Sequence, residues 1–307
     1  MSTITTITQA PTVRRRNRRG QLTGWWFVLP FTLLLALVLL APIAYTIYLS
    51  LFHSSAFFGG NEFVWFANFG QALTDPKLWD GVIRVGLFMA VQAPIMIILA
   101  LAAALALDSG RLKWAPLFRI GIFLPYAIPG VVAVMIWTYM YGSQFGLVRD
   151  LSNLVGFALP NPLSNELIVP ALANIQMWSF LGYNMLIFFS ALQAIPRDLY
   201  EAAAIDGAGQ WRMIFSVKLP QIRGAITVAT VFTVIGTSQL FTEPAILRSV
   251  VPGVISSFFT PNMYAYSLGF TANQANYSAT VAILAGLATI VIAGIVQRVG
   301  NGKKEAR

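Results

Sequence analysis

Cysteine is absent from the 307 residues, and histidine occurs once, as His53. No disulfide, thiolate zinc site or cysteine nucleophile is therefore available. Charge is scarce as well: 10% of residues are Asp, Glu, Lys or Arg, against about 25% in a soluble domain. The chain holds no HExxH, no Cys/His cluster and no close pair of carboxylates within an apolar run, so a membrane-embedded enzyme lacks its usual parts. It also holds no phosphate loop: the one Gly-Lys pair, Gly302–Lys303, is followed by Lys304. ATP cannot bind by that route, so any ATP-derived work must come from a partner.

What the chain has instead is apolar length. Hydrophobic residues make up 57%, and the mean hydropathy is +0.70. A helix needs about 20 apolar residues to cross the bilayer core. Six runs qualify, near Trp25–Leu51, Val82–Leu107, Ala115–Tyr141, Leu167–Leu192, Ile222–Phe241 and Tyr277–Val296. The first is too long for a signal-peptide core, so it reads as a span. The expected fold class is an all-α integral membrane protein with six transmembrane helices. Almost no ionisable residue falls inside them, which argues against a self-contained proton-driven transporter.

Most Lys and Arg residues fall into four places: the tail before span one (Arg14, Arg15, Arg16, Arg18, Arg19), the loop after span two, the loop after span four and the C-terminus. Only Lys77, Arg84, Arg149 and Arg248 lie elsewhere. The positive-inside rule then puts both termini in the cytoplasm. The net charge of +9 is accounted for by topology and lipid headgroups, not nucleic acid. This divides the chain into a basic tail (1–24), a six-span domain (25–299) and a short C-terminal tail (300–307). Residues 242–276 are too polar to span and too aromatic for a loose linker, so they read as a folded outer cap. Asp75, Asp80, Asp150 and Glu243 read as outer, solvated acids, and His53 as an outer surface residue.

Between spans four and five lies EAAAIDGAGQWRMIFSVKLP, Glu201–Pro220, within a charged loop at 196–220. Pro196 ends any continuation of span four. Asp198 followed by Glu201 has the spacing of an N-terminal cap, and Ala202–Ala204 favour helix. Gly207 and Gly209 make the turn, Trp211–Val217 forms a second short helix, and Leu219–Pro220 stops it. Two readings follow from the residues alone: an interfacial helix lying on lipid, or a rigid lever docking into a cytoplasmic partner.

Polar residues recur along the two flanking spans. Span four carries Asn174, Gln176, Ser179, Tyr183 and Asn184, and span five carries Thr227, Thr230, Thr233, Thr237, Ser238 and Gln239. Thr230, Thr233 and Thr237 share one helix face. Tyr183 and Phe180 beside Thr233 and Thr237 would offer a sugar an aromatic platform and neutral hydrogen-bonding groups. Against that, Thr can bond its own preceding carbonyl, and Asn and Gln can join helices to one another.

The loop resembles the EAA motif of membrane subunits in ATP-binding-cassette importers, most of all the sugar-importer permeases. The motif is EAA, three residues, Gly, nine residues, then I-x-L-P. Glu201, Ala202, Ala203, Gly207, Leu219 and Pro220 match it, with Val217 in place of Ile. The surrounding IPRDLYEAA and IDGA match the sugar branch, as do Asn68–Phe69, FLPYAIP at 123–129 and QFG at 144–146. Gly224 departs from a common proline, and FTEPAILRS replaces a GGP. FTEP with TPNMYAYSLGF resembles a sub-branch associated with oligosaccharides.

The resemblance implies a coupling helix that docks into an ATPase subunit through Glu201, Ala202, Ala203, Asp206, Gly207, Ala208, Leu219 and Pro220. It implies a membrane substrate site around Ser179, Phe180 and Tyr183 before the loop and Thr233, Gly236, Thr237 and Leu240 after it, to which the residue pattern adds Asn184 and Gln239. No cofactor or metal is expected on this chain; ATP and Mg would sit on the ATPase dimer. The remaining implied partners are a second permease, an extracytoplasmic sugar-binding protein and lipid. The implied location is a bacterial inner membrane. An importer of a non-sugar solute and a secondary transporter are the alternative functions.

Overall fold

The computed structural model describes residues 18–54 and 60–302; most of the basic tail and the last five residues lie outside the described residues. Among the described residues the chain is helical apart from one small hairpin. The described residues divide into two compact units between Tyr48 and Leu49.

In the first unit, helix α1 (Arg18–Leu35) passes through a π-helical turn at Ala36–Leu40 into α2 (Ala41–Ser50). Together they give an apolar rod over Trp25–Ser50, close to the expected first span. Trp26, Phe27 and Leu37 are exposed, as suits a helix bathed in hydrocarbon.

The second unit opens with strands β1 (Phe52–Ser54) and β2 (Asn61–Phe63), antiparallel with Phe52 opposite Phe63 and His53 opposite Glu62. Asn68, buried on the short helix α3 (Ala67–Leu73), donates from Nδ2 to the carbonyls of Ser50 and Phe52, each at 2.8 Å. It thereby caps carbonyls at the C-terminal end of α2.

Helix α4 (Pro76–Asp108) is capped by Asp75, whose carboxylate accepts from the Lys77 N–H at 2.9 Å. It packs along α8 (Ile168–Gln193), where Ala100 and Ala104 lie against Met185 and Phe188 with no exposure. Small residues let the helices approach closely where no solvent drives them together. Between them run α5 (Ala115–Phe123), α6 (Gly130–Met140) and α7 (Leu147–Val155). After α8 come α9 (Arg197–Ile205), α10 (Gln210–Met213), α11 (Leu219–Ser238), α12 (Thr242–Val250), α13 (Pro261–Tyr266) and α14 (Ala275–Gly302).

The structure refines or corrects several sequence expectations. The third apolar run is a sharply bent pair, Ala115–Ala127 and Gly130–Met140, turned by 102°. Ile128 and Pro129 are extended (ψ 129° and 133°), because a residue before proline is pushed out of the helical region. Among the described residues, five helices are therefore long and apolar enough to cross a membrane, with the bent pair as the sixth candidate.

Next, Leu219–Pro220 stops nothing. The helix runs from α10 through a π-helical turn, Ile214–Lys218, straight into α11. The Leu219 N–H reaches back to the Ile214 carbonyl, and this wider turn relieves the clash a proline ring makes with the carbonyl four residues earlier. The fifth span thus begins well before Ile222.

Finally, Asp198 is not the cap of α9. Pro196 takes that position without a side-chain hydrogen bond, and Asp198 sits inside the first turn, where its charge favours the helix dipole.

Residues 242–276 do fold. Tyr264 on α13 and Tyr277 on α14 donate their hydroxyls to Asp75 Oδ2 at 2.6 and 2.8 Å. Arg84 donates from Nη1 to the Phe259 carbonyl at 2.9 Å and lies over its ring. Asp75 is therefore a joint between three elements, not a solvated acid.

Candidate functional site

The polar faces of α8 and α11 meet around a cavity of about 410 Å³. Phe180, Tyr183 and Asn184 line it from α8, and Thr233, Gly236 and Thr237 from α11. Gln239 and Leu240, at the break between α11 and α12, close it on another side. Ser179 lines a neighbouring cavity of about 350 Å³ that shares Tyr126, Phe180 and Glu243 with the first.

Much of the wall is prearranged by its own hydrogen bonds. Thr237 Oγ1 donates to the Thr233 carbonyl at 2.8 Å and lies 3.3 Å from Gln92 Oε1. Thr233 Oγ1 sits 3.3 Å from Asn184 Oδ1, and Asn184 Nδ2 donates to the Phe180 carbonyl at 3.3 Å. Thr227 and Thr230 instead bond back to the carbonyls of Arg223 and Ile226 and do not line the cavity. Asn174 donates to the Tyr141 hydroxyl, and Ser238 pairs with Thr289; both join helices.

Sequence reading passed over four contributors. Gln92 and Met96 come from α4, whose apolar run hides them. Tyr126 comes from the bend and stacks on Tyr183 with ring centres 5.0 Å apart and planes 20° apart. Glu243, taken for an outer solvated acid, is half-buried on the cavity wall beside Gln176.

The bend is held where it is by Gly182. A Cβ there would strike the Ile122 carbonyl oxygen and come within 2.6 Å of Phe123 Cα. Only glycine lets α8 touch this backbone, and the contact brings Tyr126 over Tyr183.

The Glu201–Pro220 loop shows a second organised surface. Helix α9 ends with Gly207 at φ +73°. The Gly207 N–H bonds the Ala204 carbonyl at 3.0 Å and the Ala208 N–H bonds that of Ala203 at 2.9 Å, a left-handed helix cap that favours glycine. Glu201, Ala202, Asp206 and Gly207 are exposed, whereas Ala203 and Ala208 are half-buried. Ile205 is 86% exposed and Trp211 75%, a degree of apolar exposure outside the spans that marks a surface for a partner or for lipid. Leu219 points the other way, into a core with Leu107, Ile195 and Ile222.

The loop is fastened to the helix bundle. Lys218 Nζ pairs with Asp108 Oδ2 at 2.5 Å, and Asp108 Oδ1 accepts from Gln193 Nε2 at 2.8 Å. Lys218 also lies over the Tyr200 ring. Arg111 donates to Gln210 Oε1 at 2.9 Å.

Residues 96–303 match the family described as the binding-protein-dependent transport system inner membrane component. The chain belongs to that family. This permease is similar to the lactose transport system permease protein LacF of Rhizobium radiobacter, 32% identical over 284 residues that cover 90% of this chain and 93% of the relative. It is also similar to the trehalose/maltose transport system permease protein MalF of Thermococcus litoralis, 28% identical over 243 residues, 79% of this chain and 82% of the relative. Its fold matches a chain of a bacterial ABC transporter involved in the import of the acidic polysaccharide alginate. That match has a TM-score of 0.76 at 20% identity and covers 92% of this chain and 96% of that one. The permease is accordingly a non-catalytic, multi-pass inner-membrane subunit of a binding-protein-dependent ABC importer.

Proposed function

We propose that this permease forms half of the membrane pathway of an ATP-driven sugar importer, with an oligosaccharide as the cargo. One observation carries the mechanism: the cavity wall is built from α8 and α11, the two helices that the Glu201–Pro220 loop connects. A partner that pushes on α9 would therefore displace both walls together. The cavity chemistry supports a sugar, since stacked Tyr126 and Tyr183 provide aromatic surface while Asn184, Thr233 and Thr237 provide neutral hydrogen-bonding groups. The lactose and trehalose/maltose systems among its relatives point the same way.

In this reading Glu201, Asp206 and the exposed Ile205 meet a groove on one subunit of an ABC ATPase dimer. Ala202, Ala203, Gly207 and Ala208 keep that contact close, and Leu219 and Pro220 seat the loop on the bundle. ATP and Mg belong to the ATPase. A second permease completes the pore, an extracytoplasmic sugar-binding protein delivers the cargo to residues 242–276, and both termini lie in the cytoplasm. Ser179, Phe180, Tyr183, Asn184, Thr233, Gly236, Thr237, Gln239 and Leu240 then form this chain's share of the sugar path.

The test is reconstitution of the complete importer with its binding protein in proteoliposomes. Uptake of labelled lactose and maltotriose is followed with and without internal ATP. ATP-dependent uptake that is lost in Gly207→Val, with the complex still assembled, is the expected result. Normal uptake by that variant would remove the lever role, and no uptake of any sugar in a panel would remove the sugar reading.

A further inference from the structure

Glu243 stands in the first turn of α12 and lines both cavities, with the buried Gln176 as its neighbour. Among the described residues lining either cavity there is no Lys, Arg or His. Arg84 lines neither cavity and is held by the Phe259 carbonyl and ring. Among the described residues, this chain's share of the wall therefore holds one carboxyl group and no basic side chain.

The positions around it are neutral. Thr242 and Gln239 flank it along the chain, and Tyr126 and Phe180 face both cavities with it. A lone carboxylate in such a site acts over distance, because little nearby screens it. At about 6 Å and an effective dielectric of about 20, one charge changes the local concentration of a unit ion by more than tenfold. Intramembrane carboxylates of this kind mark solute pathways.

We propose that Glu243 is the charge selector of the cavity, admitting uncharged and cationic saccharides and repelling those that bear carboxylate, sulfate or phosphate. The selector rests on the sugar reading for the identity of its cargo, but its electrostatic action can be measured without any cargo.

The absence of cysteine makes that measurement direct. Thr242→Cys places one thiol of this chain beside Glu243 in the complete importer, assembled with cysteine-free partner subunits. Its reaction rates with a trimethylammonium-bearing and a sulfonate-bearing methanethiosulfonate are compared, and their ratio is normalised to that for free cysteine. With Glu243 present, the cationic reagent should be favoured by about a hundredfold or more. Adding Glu243→Gln should bring the ratio to within about twofold of unity, while Glu243→Asp, which keeps the charge, should preserve it. A ratio near one with Glu243 present, or one unchanged by Glu243→Gln, would overturn the proposal. Lactose uptake by the same proteoliposomes scores the sugar reading separately. Uptake without a charge-dependent ratio sinks the selector alone, and a charge-dependent ratio without uptake of any sugar sinks the sugar reading alone.

Discussion

Lys218 Nζ lies 2.5 Å from Asp108 Oδ2, joining the π-helical turn that opens the fifth span to the last turn of α4. Side-chain exposure is 12% for the lysine and 8% for the aspartate. Removing one member leaves the other charge largely desolvated. Asp108→Ala and Lys218→Ala should each cost about 3 kcal/mol, and the double variant distinctly less than their sum. Thermal unfolding of the four purified complexes in one detergent closes this cycle; additive losses would mean that the pair does not interact.

Gly182 should tolerate no side chain. The atoms its Cβ would meet are backbone, which cannot rotate away. Gly182→Ala should destabilise by about 2 kcal/mol or more and separate Tyr126 from Tyr183. Melting temperature and lactose uptake should fall together. A variant with unchanged melting would show that α8 and the bend can part freely.

Gly207 presents a different case. Nothing lies within 4 Å of a Cβ built there, but its φ is +73°. The strain is conformational, so Gly207→Ala should cost about 1 kcal/mol. Gly207→Asn should cost less, since asparagine visits this region more readily. Limited proteolysis between Ile205 and Gln210 should rank the three as Gly, Asn, Ala in increasing cleavage. Equal cleavage would indicate that the turn does not depend on the left-handed residue.

Acid should loosen the joint between α13 and α4. Burial alone would raise the Asp75 carboxyl, but the hydroxyls of Tyr264 and Tyr277 and the Lys77 N–H outweigh it and hold the group below its ordinary value. The stabilisation it brings is thus fully present above the unfolded carboxylate value and is lost as pH falls through the lowered one. Tyr264, buried beside that carboxylate, is raised instead, so its contribution is complete below the ordinary tyrosine value and lost only in strong alkali. The protection factors of the amides at residues 261–266, corrected for the intrinsic pH dependence of exchange, should stay flat from about pH 5 to 9 and fall below about pH 4. Asp75→Asn should abolish the acid limb, and an acid limb surviving that change would assign it elsewhere.

Four of the expected spans were legible from apolar runs alone, because a helix in hydrocarbon satisfies its own backbone and needs only length and composition. The expected Leu167–Leu192 and the observed Ile168–Gln193 differ by one residue at each end. The glycine turn at Gly207 was legible too, since a left-handed cap is a local demand on one residue. The 102° bend between Ala115–Ala127 and Gly130–Met140 was not legible, because it depends on Gly182 receiving the Ile122–Phe123 backbone. Leu219–Pro220 misled because proline is a stop only when the preceding turn cannot widen.

The sequence by itself determined that this chain is a helical membrane protein, that its energy comes from a partner and that the Glu201–Pro220 loop is a specialised segment. Those conclusions rest on composition, missing motifs and local backbone chemistry, which need no neighbours. Tertiary structure alone decided which polar residues share a cavity and which merely tie helices together. It brought Gln92, Tyr126 and Glu243 to one wall and gave Asp75 two tyrosine partners. Residues far apart in the chain meet only when helices pack, and packing is settled by side-chain volume and backbone approach, not by hydropathy.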